Sequence, residues 1–107
     1  MKRGSLYWIN FGSSTPPEFG KTRPGLILSN SVHNLALDTV VVVPLSNQPP
    51  EIWPLRLKLA MPKGKTSFAV VPGIRQVSKT RLQNSIGFVT REELERITEA
   101  VSLYLGD

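Results

Sequence analysis

The chain has no cysteine and a single histidine. The first absence excludes a disulfide framework, a thiolate zinc site and a cysteine nucleophile. The second excludes a multi-histidine metal cage. No apolar stretch approaches the length needed to cross a bilayer, and Met1-Lys2-Arg3 leads directly into a strand-like segment instead of the apolar core of a secretory signal. A cytoplasmic protein with no metal and no cofactor is expected. Internal repeats, low-complexity tracts and linkers are lacking too. The 107 residues suffice for a single domain, expected to span 1–107, and not for a second one with its own cofactor site. Any chemistry must then sit on the surface of one small fold or between two copies of it.

Acidic residues are scarce over most of the sequence. The net charge of +5 is unevenly spread: residues 1–89 hold 11 Lys and Arg against only Glu18, Asp38 and Glu51, whereas residues 90–107 hold Arg91 and Arg96 against Glu92, Glu93, Glu95, Glu99 and Asp107. A polyanion would be drawn to the basic body and repelled by the acidic C-terminal stretch. Many small basic proteins bind no polyanion, so charge alone does not decide the matter. A hydrophobic content of 40% with charges interspersed is the composition of a folded globular chain.

The patterning is mainly that of short strands. Residues 6–11 alternate, with Tyr7, Ile9 and Phe11 on one face and Leu6 and Trp8 on the other, both faces partly buried. Residues 12–22 have the Gly, Ser and Pro content of a long surface loop, closed by Arg23-Pro24. An apolar strand is expected at 25–29, a short helix or turn at 30–38, and a β-branched strand at 39–45, broken at 46–50. Over 54–59, Leu55, Leu57 and Leu59 point one way and Arg56 and Lys58 the other. A turn at 62–65, strands at 67–71, 74–77 and 86–89, and a helical turn at 78–82 follow. Thr90 and Glu93 form a capping box, Val89 and Leu94 a hydrophobic staple, and Leu94, Ile97, Val101 and Tyr104 recur at helical spacing. These elements predict a mainly β fold: a small, strongly curved, SH3-like antiparallel barrel with short helices and a C-terminal amphipathic helix.

Three segments could carry chemistry. In Glu18-Phe19-Gly20-Lys21-Thr22-Arg23-Pro24 a loop feeds an arginine into a strand, and Pro24 biases Arg23 towards extended backbone. A guanidinium so placed can fork two hydrogen bonds to a phosphate; taken alone, the motif reads more readily as a solvated arginine beside a proline. Ser46, Asn47 and Gln48 end an apolar strand and could grip a phosphate oxygen or read a base edge, although ordinary turn chemistry accounts for them as well. Arg75, Gln76, Lys79 and Arg81 could track a sugar–phosphate backbone or simply form a solvated cationic face. His33, the one side chain that titrates near neutrality when unperturbed, reads as a partly packed surface residue rather than a general acid or base. Trp8 and Trp53 could stack on bases, but core or dimer packing is the simpler role for each.

Together these segments resemble the MazF/PemK toxin family over nearly the whole chain. Gly4-Ser5-Leu6-Tyr7 looks like the family's opening strand. Its Glu-x-Gly-x-x-Arg-Pro, followed by an apolar strand and Ser-Asn, is similar to Glu18 through Pro24 with Ser29-Asn30, and this is the most specific signal. Its Pro-(Ile/Leu)-(Thr/Ser)-x-Gln is similar to Pro44-Leu45-Ser46-Asn47-Gln48. Its (Ile/Val)-Arg-x-(Ile/Val)-x-Lys-x-Arg-Leu is similar to Ile74 through Leu82, and Ile86-Gly87 with a glutamate-rich helix completes the match. The resemblance implies a homodimeric barrel that cleaves single-stranded mRNA without metal and is held in check by a cognate antitoxin protein. It implies Arg23 and Ser46 as the catalytic pair, with Glu18, Gly20, Lys21, Thr22, Asn47, Gln48, Arg75, Gln76, Lys79 and Arg81 as RNA-binding residues. The chain departs from the family at Pro72-Gly73, where many members carry Asp-Gln; this puts one RNA contact, and the base specificity, in question. His33 stands where the family usually has an apolar residue. Two other classes stay open at this point: a CcdB-like gyrase inhibitor, whose C-terminal Trp-Gly-Ile is not matched by Tyr104-Leu105-Gly106-Asp107, and a barrel that binds RNA or protein without cutting.

Overall fold

The structure is a computed structural model that describes residues 1–13, 15–18 and 20–107. Ser14 and Phe19, both within the segment expected to be a long loop, lie outside the described residues. Seven strands are formed: β1 (Ser5–Asn10), β2 (Thr22–Ile27), β3 (Thr39–Ser46), β4 (Arg56–Ala60), β5 (Thr66–Val70), β6 (Arg75–Ser78) and β7 (Leu82–Phe88). Helix α1 (Ser31–Ala36) follows β2 and helix α2 (Arg91–Leu105) ends the fold.

All recorded strand pairings are antiparallel, in the order β4-β5-β3-β2-β1-β7. One edge of β3 pairs with β2; the other is shared, its first half taken by β6 and its end by β5. Among the described residues β4 and β7 are not paired with each other. The sheet therefore curls into a small barrel-like fold without closing.

Alternation along the central strands feeds two apolar clusters. Leu6, Leu26, Val43 and Leu45 enter one, which Ile97 and Ala100 of α2 cover; Ile9, Phe11, Ile27 and Val42 enter the other. Both faces of β3 are thus buried, which explains its unbroken apolar run. Gly25 lies where a Cβ would run into the Ile9 side chain, so this glycine is what lets β2 press against β1.

Helix α2 starts as its sequence predicts: the Thr90 hydroxyl accepts from the Glu93 N–H at 3.1 Å, and the Glu93 carboxylate accepts from the Thr90 N–H at 2.9 Å. Asn30 caps α1 by accepting from Val32 N–H at 2.8 Å. Four expectations change. The last strand begins at Leu82, not at Ile86, because its pairing with β1 continues to the Ile9–Leu82 pair. Strand β2 begins at Thr22, not at Gly25, because pairing with β1 runs on through Arg23 and Thr22; a proline near the start of a strand is tolerated. Leu57 and Leu59 are buried, but Leu55 is 40% exposed, since its N–H is drawn into a turn on the Ile52 carbonyl before the strand starts. Tyr104 is exposed, and Ala100 holds the buried place on its stretch of helix.

Two substitutions test these readings by urea denaturation. Thr90→Ala removes half of the capping box and is expected to cost about 1 kcal/mol. Gly25→Ala must displace a fully buried isoleucine and is expected to cost about 1–3 kcal/mol.

Candidate active-site cleft

The β1–β2 connection is tied at its neck. Phe11 N–H donates to the Lys21 carbonyl at 2.8 Å and Lys21 N–H to the Gly12 carbonyl at 2.6 Å. Lys21 adopts φ 65° and Gly12 φ 78°, so the chain turns sharply on both sides of the neck and Thr22 enters β2 in register with Asn10. The Arg81 guanidinium braces this point by donating to the Asn10 carbonyl at 3.0 Å. It sits so close to Gly12 that a Cβ there would lie 2.9 Å from Arg81 Nη1.

Arg23 follows directly, half-buried, with Nε donating to the Gly20 carbonyl at 3.2 Å. Ser46 ends β3, and its hydroxyl accepts from Gln48 N–H at 3.1 Å, so the turn role and a functional role are compatible. Register relates the two. Ile27 pairs with Val42, Leu26 with Val43 and Gly25 with Pro44; the paired stretch ends there, and the same register extended two residues beyond it would bring Ser46 level with Arg23.

Both residues line one cleft of about 760 Å³. Trp8, Arg23, Pro24 and Ser46 line it together with Lys63 and Lys65 of the β4–β5 turn and Asn84 and Ser85 of β7. The cleft therefore occupies the gap between the two unpaired ends of the sheet. Thr22 and Asn47 also line it. Glu18, Gly20 and Lys21 line a second depression around the loop neck, which shares Arg23 with the cleft. Glu18, Arg75 and Arg81 line a third, with Arg56 and Phe11; the Arg75 guanidinium stands 5.6 Å from the centre of the Phe11 ring.

Gln48, Gln76 and Lys79 line none of these three cavities. Alternation along β6 turns Gln76 away from the Arg75 side, and its amide donates to the Thr39 hydroxyl at 2.8 Å. Lys79 lies in the helical turn Lys79–Arg81, its N–H bonded to the Asp38 carbonyl at 2.9 Å. His33 is exposed on α1 and does not line the cleft. Sequence reasoning missed Lys63, Lys65, Asn84 and Ser85, and gave Trp8 to packing. Only the pairing of distant strands brings these five to Arg23; the lysines carried no local signal beyond that of a turn. Among the described residues no three acidic or imidazole side chains are grouped to hold a metal ion, and no helix is long and apolar enough to cross a membrane.

Comparison with known proteins bears on the family. Residues 2–105 match the family model described as PemK-like, MazF-like toxin of type II toxin–antitoxin system. The chain is 26% identical to Endoribonuclease MazF9 of Mycobacterium tuberculosis, over 98% of this chain and 96% of that protein. It is 24% identical to Endoribonuclease EndoA of Bacillus subtilis, over 99% and 95% respectively. Among solved structures, MazF from Deinococcus radiodurans superposes with a TM-score of 0.86 at 20% identity, covering 100% of this chain and 97% of that one. A mycobacterial endoribonuclease in complex with its cognate antitoxin superposes with a TM-score of 0.81 at 25% identity, covering 100% and 98%.

Arg81→Ala removes the brace on the loop neck. Amide hydrogen exchange at Phe11 and Lys21 is expected to quicken about tenfold or more, while that of the buried β3 amides stays as in the parent.

Proposed function

Because the chain belongs to the PemK-like, MazF-like toxin family of type II toxin–antitoxin systems, we propose that it is an endoribonuclease toxin, a single domain over 1–107, that cuts single-stranded mRNA in the cleft holding Arg23 and Ser46. One observation carries this reading: Arg23 and Ser46, 23 positions apart in sequence, line the same cavity.

RNA brings its own nucleophile. Attack of a ribose 2′-oxygen on the adjacent phosphorus forms a 2′,3′-cyclic phosphate and breaks the bond to the 5′-oxygen. One proton leaves the 2′-oxygen and one reaches the 5′-oxygen, so no water is consumed. The protein must align the strand and stabilise negative charge as it builds on the phosphoryl oxygens. Arg23, held at Nε by the Gly20 carbonyl, is placed to fork to those oxygens. Ser46, whose hydroxyl already accepts one hydrogen bond, keeps its proton to donate. DNA lacks the 2′-hydroxyl and is not a substrate. Metal takes no part in this scheme.

Partners follow from the same reading. Lys63 and Lys65 beside Arg23 make a basic channel suited to RNA and to an acidic, flexible antitoxin segment that would compete with it; a mycobacterial relative of similar fold is solved with its cognate antitoxin. The apolar side chains of Val32 (71% exposed), Leu35 (81%) and Leu37 (55%) suit a covered face in a homodimer. We place the protein in the cytoplasm, where its mRNA substrate is.

The test is cleavage of a defined RNA in EDTA. Wild type is expected to leave 2′,3′-cyclic phosphate and 5′-hydroxyl ends. Arg23→Ala is expected to lower kcat by about 10²–10³-fold, and a single 2′-deoxy residue at the cut site to abolish cleavage there. RNA that is bound and left intact over hours at high enzyme concentration would favour a non-cutting RNA-binding barrel. Trapping of gyrase on DNA would favour the gyrase-inhibitor class.

A further inference from the structure

Strand β7 is irregular just where it borders the cleft. Its pairing with β1 runs Ser5 to Phe88, Leu6 to Gly87, Tyr7 to Ser85 and Ile9 to Leu82, with a register shift on each side of the Tyr7–Ser85 pair. Each shift inserts one extra residue into β7. Bulges of this kind re-aim side chains and concentrate beside functional sites. The second leaves Gln83 and Asn84 facing the single residue Trp8, and Asn84 and Ser85 both reach the cleft.

Trp8 is unusual for an interior strand of the sheet. It pairs with Pro24, one residue from Arg23, yet 43% of its surface is exposed and it lines the cleft instead of joining either apolar cluster. An indole beside a guanidinium and two lysines presents an apolar plane inside a cationic trough. Nucleobases, flat and joined to phosphates, match both features; aliphatic or acidic peptide side chains match only one. The side chains of Asn47 and Asn84 make no hydrogen bond to the described residues, so their amides retain both donor and acceptor capacity.

We propose that Trp8 is the stacking platform for a base adjacent to the scissile phosphate, and that Asn84, aimed by the β7 bulges, reads the edge of that base. The inference rests on the nuclease reading above and adds to it a base-recognition subsite. Stacking supplies affinity whatever the base, whereas an amide discriminates among base edges. The two residues thus have different expected signatures.

The test uses an RNA octamer carrying the cleavage site, and the same octamer with a 2′-deoxy residue at the cut as a non-cleavable probe. In a Trp53→Phe background the remaining indole is Trp8, and the probe is expected to quench its fluorescence. Trp8→Ala should raise KM about tenfold or more with kcat within threefold, and Trp8→Phe should restore most of the affinity. Asn84→Ala should relax the preference at one nucleotide flanking the cut, read by sequencing the ends from a randomised RNA, and leave the other positions unchanged. An indole that is insensitive to the probe but changes on dilution of the protein would make Trp8 a dimer contact and overturn the proposal. So would a folded Trp8→Ala variant that cuts with wild-type KM. Quenching of Trp8 by the probe in the Trp53→Phe protein, with a wild type that cuts nothing, would keep the platform and overturn the nuclease reading instead.

Discussion

The antiparallel register between β2 and β3 is the constraint on which the site depends. It is fixed where Gly25 faces Pro44 and Ile27 faces Val42, with both strands buried on both faces by the two apolar clusters. A slip of one residue would turn the apolar side chains of a strand onto opposite faces and would also offset Arg23 from Ser46. Core packing and site geometry are therefore the same requirement. Gly25 shows this most clearly, since any side chain there would push β2 off Ile9 and take Arg23 with it.

Charge is laid out around that constraint. The basic side chains of the cleft come from two separate stretches, with Arg23 on β2 and Lys63 and Lys65 on the β4–β5 turn. Acidic residues are partly used structurally: on α2, Glu93 closes the capping box and also accepts from Ala60 N–H at 3.0 Å, and Glu51, ahead of β4, meets Arg96 of α2 at 3.6 Å. Exposed pairs of this kind add little stability. Their arrangement matters more for the field, because it leaves the open side of the sheet positive where a phosphate backbone would lie.

Much of this was legible in the sequence, for a reason that differs by element. Helix α2 is announced by Thr90, Glu93 and an apolar stripe, all local signals, and it starts as read. The first and fourth strands followed from alternation and the others from short apolar or β-branched runs between turns, and the family resemblance at Glu18 through Pro24 pointed to Arg23 before any pairing was known. Strand limits were less legible: β2 and β7 each begin several residues earlier than their apolar content suggests, because pairing with β1 extends through Arg23 to Thr22 and, past the bulged Gln83-Asn84, to Leu82. The walls of the cleft were not legible at all. Lys63 reads as a turn residue, Asn84 as a connection and Trp8 as core, and only an open barrel that sets the β4–β5 turn against β7 gives them a common surface. Gln76 and Lys79 show the opposite failure, since they adjoin Arg75 and Arg81 in sequence but face elsewhere.

A double-mutant cycle on kcat/KM for a single-site RNA, with wild type, Arg23→Ala, Ser46→Ala and the double variant, measures most directly whether the two groups act on one linkage. If both stabilise the same transition state, the double variant is no more than a few-fold slower than the slower single variant. Penalties that multiply, or a Ser46→Ala enzyme as fast as wild type, would contradict the shared site.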